Sequence, residues 1–131
     1  SYVASKAAIL RLTETLAQEL KEKNIEINAI SPGAVDSGLN KELMAAGPER
    51  AGKKMYEQTL KQMSGEEVVS AEKAAALAVF LASEESNGLS GKNISAVWDH
   101  WQDIPKHLKE LRESDVYAMR RIKPKDRGYD W

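Results

Sequence analysis

Residues 2–33 read YVASKAAILRLTETLAQELKEKNIEINAISPG, and this stretch sets the architecture. Its first two-thirds places apolar residues at Ala8, Leu12, Leu16 and Leu20, with Ile9 and Ala17 flanking the same stripe. That is the period of an amphipathic helix, with strong helix formers in between, and it predicts a helix over residues 2–23. Asn24 follows the charged turn Lys21-Glu22-Lys23 and is a stop signal. Residues 25–30, IEINAI, are short, rich in β-branched side chains and bounded by Asn24 and Ser31-Pro32-Gly33. They predict a strand that ends in a turn.

Further along, residues 38–65 are polar and weakly helical, with Gly47-Pro48 interrupting the pattern. Ser70 is a candidate N-cap, with Lys73 rather than a glutamate at the third position after it, so the full capping box is absent. The apolar run from residue 74 to 82 has a helical composition. Asn87-Gly88 and Ser90-Gly91 bracket a turn, and residues 92–98, KNISAVW, predict a second strand. Strand, crossover helix, strand is the grammar of a parallel α/β sheet. Beyond it, Ile104, Leu108 and Leu111 are spaced as a short amphipathic helix with Pro105 in its first turn.

Composition bounds the function. The chain has 131 residues, 42% hydrophobic and 30% charged, as expected of a folded domain. A formal net charge of −1 gives no global attraction to nucleic acid or to an anionic membrane. The basic cluster Arg120, Arg121, Lys123, Lys125 and Arg127 is interrupted by Asp126 and reads as a solvated face. No cysteine is present, which excludes a disulfide framework, a thiolate nucleophile and a Cys-type zinc site, and fits a cytoplasmic setting. His100 and His107 lack metal-ligand spacing, so no metal is expected. No apolar run approaches the ~20 residues that span a bilayer.

The chemistry sits at the start. Tyr2 and Lys6 are four residues apart and share one helix face. A free phenol titrates near ~10, too high for a general base at neutral pH, and an adjacent ammonium favours the phenolate. The pair alone is a common helical coincidence. It stands, however, in the string Tyr2-Val3-Ala4-Ser5-Lys6-Ala7-Ala8, which is similar to the Tyr-x-Ala-Ser-Lys-Ala-Ala segment of the short-chain dehydrogenase/reductase family. Residues 27–35, INAISPGAV, resemble that family's sixth strand and Pro-Gly turn. Residues 74–83 followed by Ser90-Gly91-Lys92-Asn93-Ile94 resemble its last helix and last strand.

The resemblance implies the C-terminal half of a Rossmann-like doubly wound α/β fold over residues 1–98, with an extension over 99–131 that packs on the domain or on a neighbouring subunit. It implies an oxidoreductase that reduces a small carbonyl compound or oxidises an alcohol with NAD or NADP. Tyr2 would be the acid/base and would also contact the cofactor. Lys6 would assist Tyr2 and bond the nicotinamide ribose. Pro32 and Gly33 would shape the turn beneath the nicotinamide, Val35 would offer backbone groups to the carboxamide, and Ser37 would contact the carboxamide or pyrophosphate. The family's Gly-rich phosphate loop and catalytic serine have no counterpart in these residues, so an upstream half is expected and specific cofactor binding by this chain alone is not. A half-sheet exposes an edge and a helix face, which predicts a homo-oligomer. The alternative is a non-catalytic fragment that acts only in subunit contact through the helix of residues 2–23.

Overall fold

The computed structural model describes residues 2–35, 38–64 and 69–131. The first helix, α1 (Tyr2–Glu19), is followed by a single 3-10 turn at Lys21–Lys23. Asn24 closes it in the left-handed region at φ 56°, and its N–H donates to the Lys21 carbonyl, so the stop expected at Asn24 is where the helical path ends. Two short strands follow, β1 (Ala29–Ser31) and β2 (Asn93–Ser95). They pair in parallel with Ala29 opposite Asn93, Ile30 opposite Ile94 and Ser31 opposite Ser95.

Both strands are shorter than the 25–30 and 92–98 spans expected from sequence, and polar side chains are the reason. Before the ladder, Ser90 Oγ accepts the Ile27 N–H at 3.0 Å. The Asn28 amide likewise takes the Lys92 N–H at 3.1 Å and donates to the Leu89 carbonyl at 2.7 Å. After it, Pro32 has no N–H to give. Ser95 Oγ accepts from Val97 and Trp98, both at 3.2 Å, and bends β2 into a turn. Side-chain acceptors thus replace ladder bonds at both ends, from across the sheet before the ladder and locally after it.

Between the strands lie α2 (Gly38–Ala51), α3 (Lys53–Met63) and α4 (Ala71–Leu81). The weak pattern of residues 38–65 conceals two helices that pack mainly on each other. Within α2, Gly47 at φ 73° kinks the chain just before Pro48, as the interruption in the sequence implied. Ser70 caps α4 by accepting the Glu72 N–H at 3.2 Å. The last helix, α5 (Ile104–Glu113), carries Pro105 in its first turn, where the missing N–H costs no helical bond.

Alternation along the strands divides the sheet into two faces. Ile30 and Ile94 point to the side occupied by α4 and α5, where they join Leu77, Phe80, Leu89, Ala96, Ile104 and Leu111 in one apolar core. Trp101 packs its ring 5.4 Å from that of Phe80, so residues beyond 98 contribute to the same core as those before it. The opposite face carries Ala29, Ser31, Asn93 and Ser95, and α1 crosses it. A Cβ placed on Gly91 would lie 3.3 Å from the Ala17 Cβ, so small residues on both sides set the closest approach. This explains a departure from the expected stripe. Thr13 and Ala17 are the buried residues of α1, while Ala8 and Leu12 are exposed and Leu16 and Leu20 half-buried. The helix turns its small side chains to the narrow sheet and leaves part of its larger apolar ones outside.

Candidate functional site

Ala17 lies over Gly91, at the N-terminal approach to β2, whereas Leu10 lines a cleft shared with Asn93. The helix therefore runs antiparallel to the strands. Tyr2 is eight residues before Leu10, about 12 Å further along at 1.5 Å per residue. Its ring is thus carried toward the C-terminal end of the sheet, where open α/β sheets take their ligands.

Tyr2 and Lys6 are brought together as their spacing implied. The Lys6 ammonium sits 5.4 Å from the Tyr2 ring centroid, within cation–π range. Ser5 Oγ donates to the Tyr2 carbonyl at 2.7 Å and ties down the first turn. Tyr2 is 53% exposed, so its phenol is accessible rather than committed to the core.

The second element is the turn after β1. Gly33 adopts φ 83°, a conformation that only glycine takes without strain. Space makes the same demand: a Cβ there would be 2.6 Å from Val97 Cγ2 and 3.4 Å from Val69 Cγ2. The Val35 N–H donates to the Gly33 carbonyl at 3.0 Å, and the Ala34 carbonyl accepts the Val69 N–H at 2.9 Å. Asn40 Nδ2 makes a long bond of 3.4 Å to the Val35 carbonyl. Residues 32–35 thus form a braced turn whose backbone is already partly engaged. Ser37 lies outside the described residues. The Tyr2/Lys6 pair and the turn belong to the same end of the sheet, with no hydrogen bond between them among the described residues.

Val69 and Val97, which brace the turn, carry no sequence signal of that role because they come from distant parts of the chain, whereas Asn40 reaches back from the first turn of α2. A groove of about 1040 Å³ lies elsewhere: Ala17, Lys21, Asn24, Glu26, Ser90 and Gly91 place it at the N-terminal ends of the strands. Part of its charge is already paired, Arg11 with Glu14 and Arg120 with Asp115. No helix among the described residues is long and apolar enough to cross a membrane.

Comparison with known proteins matches residues 1–96 to a family model described as Enoyl-(Acyl carrier protein) reductase. A 3-oxoacyl-(acyl-carrier-protein) reductase of Thermotoga maritima is 34% identical over 94 residues, covering 72% of this chain and 35% of that protein. An acetoacetyl-CoA reductase of Rhizobium meliloti is 38% identical over 96 residues, covering 73% and 37% respectively. Dehydrogenase/reductase SDR family member 6 of Danio rerio is 37% identical over 95 residues, covering 71% and 37%. The chain spans little more than a third of the length of these curated relatives.

Proposed function

Because this chain belongs to the short-chain dehydrogenase/reductase family, we propose that it is the catalytic C-terminal part of an NAD(P)-dependent oxidoreductase acting on a small carbonyl or alcohol substrate. The observation that carries the reading is the Lys6 ammonium against the Tyr2 ring on the first turns of α1, at the ligand-binding end of a parallel sheet. Tyr2 delivers a proton to the carbonyl oxygen in reduction, or takes it from the alcohol in oxidation. Lys6 favours the phenolate and gives its remaining donors to the nicotinamide ribose. Pro32 and Gly33 shape the turn under the nicotinamide ring, Val35 meets the carboxamide, and the Ser37 hydroxyl adds a contact to the carboxamide or pyrophosphate. The nicotinamide, when bound, supplies or accepts the hydride; the protein's part is position and proton transfer.

The residues present fit one end of such a cofactor. Exposed Tyr2 and Lys6 suit the nicotinamide ribose, while Gly33 lets the turn pack closely on Val97 and Val69. At Val35 the N–H must exchange its bond to the Gly33 carbonyl for one to the carboxamide. For the pyrophosphate the described residues offer no Gly-rich strand–helix turn, so that contact comes from polypeptide beyond these residues. Reduced nicotinamide should be consumed, in the presence of a 3-oxoacyl thioester or a simple ketone, only by a polypeptide that joins this segment to a Gly-rich nucleotide-binding part. Calorimetric titration of the 131-residue chain alone with NAD or NADP should give no saturable heat. A stoichiometric isotherm would refute the division of the site, and an inactive joined polypeptide would refute the activity. The setting we propose is cytoplasmic, with neither nucleic acid nor membrane as a partner.

A homo-oligomer belongs to the same proposal. Ile9 and Leu12, three positions apart on one side of α1, are both more than half exposed. An apolar helix face of this kind also favours the second reading, in which the chain serves only subunit contact. Light scattering at micromolar concentration should find a dimer or larger species, and Ile9→Lys with Leu12→Lys should shift it toward monomer. A monomeric wild-type chain would remove both the assembly and the second reading. Leu16, being half-buried, is the poorer probe.

A further inference from the structure

The two edges of the sheet are treated differently by the chain that follows them. In the ladder, Ala29 N–H donates to the Lys92 carbonyl at 2.8 Å and Ala96 N–H to the Ser31 carbonyl at 3.0 Å. Residues alternate along a strand, so Lys92, Ile94 and Ala96 turn their backbone toward β1, and Asn93 and Ser95 turn theirs outward. Outward donors are what an incoming strand needs. Both are taken. Asn93 N–H donates to the Tyr117 carbonyl at 2.8 Å, and Ser95 N–H donates to an Asp99 carboxylate oxygen at 2.6 Å.

The segment that supplies the Tyr117 carbonyl is fastened from both sides. Lys92 is buried, at 6% exposure, and its ammonium donates to the carbonyls of Ser114 at 2.8 Å and Val116 at 3.0 Å, just past the end of α5. A cation there also complements the negative end of the helix. Burial pulls the Lys92 pKa below the ordinary lysine value, opposed by the carboxylates of Asp115 and Glu14. On the far side Met119 is held by α1: Glu14 accepts its N–H and Arg11 Nη1 donates to its carbonyl at 2.9 Å. Between the fastenings Tyr117 adopts φ 62°, a conformation unusual for an aromatic residue and held by its surroundings.

We infer that residues 114–119 are a strap, latched by Lys92, that closes the outer edge of β2 against strand addition by a second copy of this chain. Among the described residues no segment pairs with the outer edge of β1, so the strap confines edge pairing to the β1 side. Neither feature depends on the proposed catalysis.

Amide exchange in the 131-residue chain tests this. Lys92→Met keeps the apolar stem and removes the latch. It should speed exchange at Asn93 by about tenfold or more, while Ile94, whose N–H faces β1, keeps its protection. The same variant should show larger species by light scattering than the wild type. Unchanged exchange at Asn93, equal acceleration at Ile94, or faster Asn93 exchange without a rise in mass would each overturn the inference. If Lys92→Met does not fold, Arg11→Ala loosens the strap from the surface. Selective acceleration at Asn93 together with a rise in mass then supports the inference, and the absence of either overturns it.

Discussion

Replacing Tyr2 by phenylalanine should lower turnover of the joined oxidoreductase by roughly 10²–10⁴-fold, the usual cost of losing a general acid/base. The variant removes the transferable proton and little else. The ring remains for the Lys6 ammonium to sit against, and Tyr2 is half exposed, so no buried hydroxyl is orphaned. Stability and oligomeric state should therefore be unchanged, which separates a chemical defect from a structural one. Lys6→Ala should also be severe, with a higher KM for the nucleotide, because the proposed mechanism gives the same ammonium to the phenol and the ribose. Tyr2→Phe should raise that KM less than Lys6→Ala does, since the phenol offers the ribose one hydroxyl and the ammonium three donors. Steady-state rates with either nucleotide check both statements, and turnover of Tyr2→Phe within twofold of the wild type would remove Tyr2 from the mechanism.

Much of this site was legible because its parts are local. Tyr2 and Lys6 meet through helical spacing alone, and Asn24, Gly47 and Pro105 act on backbone within a turn of themselves. Gly33 was legible as a turn residue, but the demand for glycine there is set equally by Val97, sixty-four positions away in the numbering. The strand ends were misjudged for a related reason. Asn28, Ser90, Ser95 and Asp99 read as ordinary polar punctuation until the fold brings Asn28 and Ser90 across from each other. Periodicity likewise located α1 but not its buried face. The closest approach to Gly91 selects Thr13 and Ala17, and apolar spacing cannot express that preference for small side chains.

The extension changes what the half-sheet must do to remain folded. Ile104 and Leu111 enter the core beside Ile94, and the strap covers one edge, so residues 99–131 supply cover that a two-stranded sheet lacks. Val116, Ile122, Tyr129 and Trp131 remain exposed, with Tyr129 and Trp131 stacked at 6.1 Å between centroids. The cover is therefore achieved by a few anchors, Lys92 and Tyr117 among them, rather than by burial of the whole tail.

So thin a core should be sensitive to any void. Leu77 is completely buried on α4 in the same cluster as Ile30 and Ile94, and its removal opens space between helix and sheet. Leu77→Ala is expected to cost about 2–5 kcal/mol, transfer and cavity terms together. With a urea dependence of ~1–3 kcal/mol per molar, the unfolding midpoint should fall by about a molar or more. Val79, two residues on and 71% exposed, provides the control. Val79→Ala loses almost no buried surface and gains helix propensity, so its midpoint should move by less than the equivalent of ~0.5 kcal/mol. Because association also stabilises the folded state, all three chains must be compared at one concentration. Equal midpoints for Leu77→Ala and Val79→Ala would mean that α4 does not seat on the sheet through Leu77.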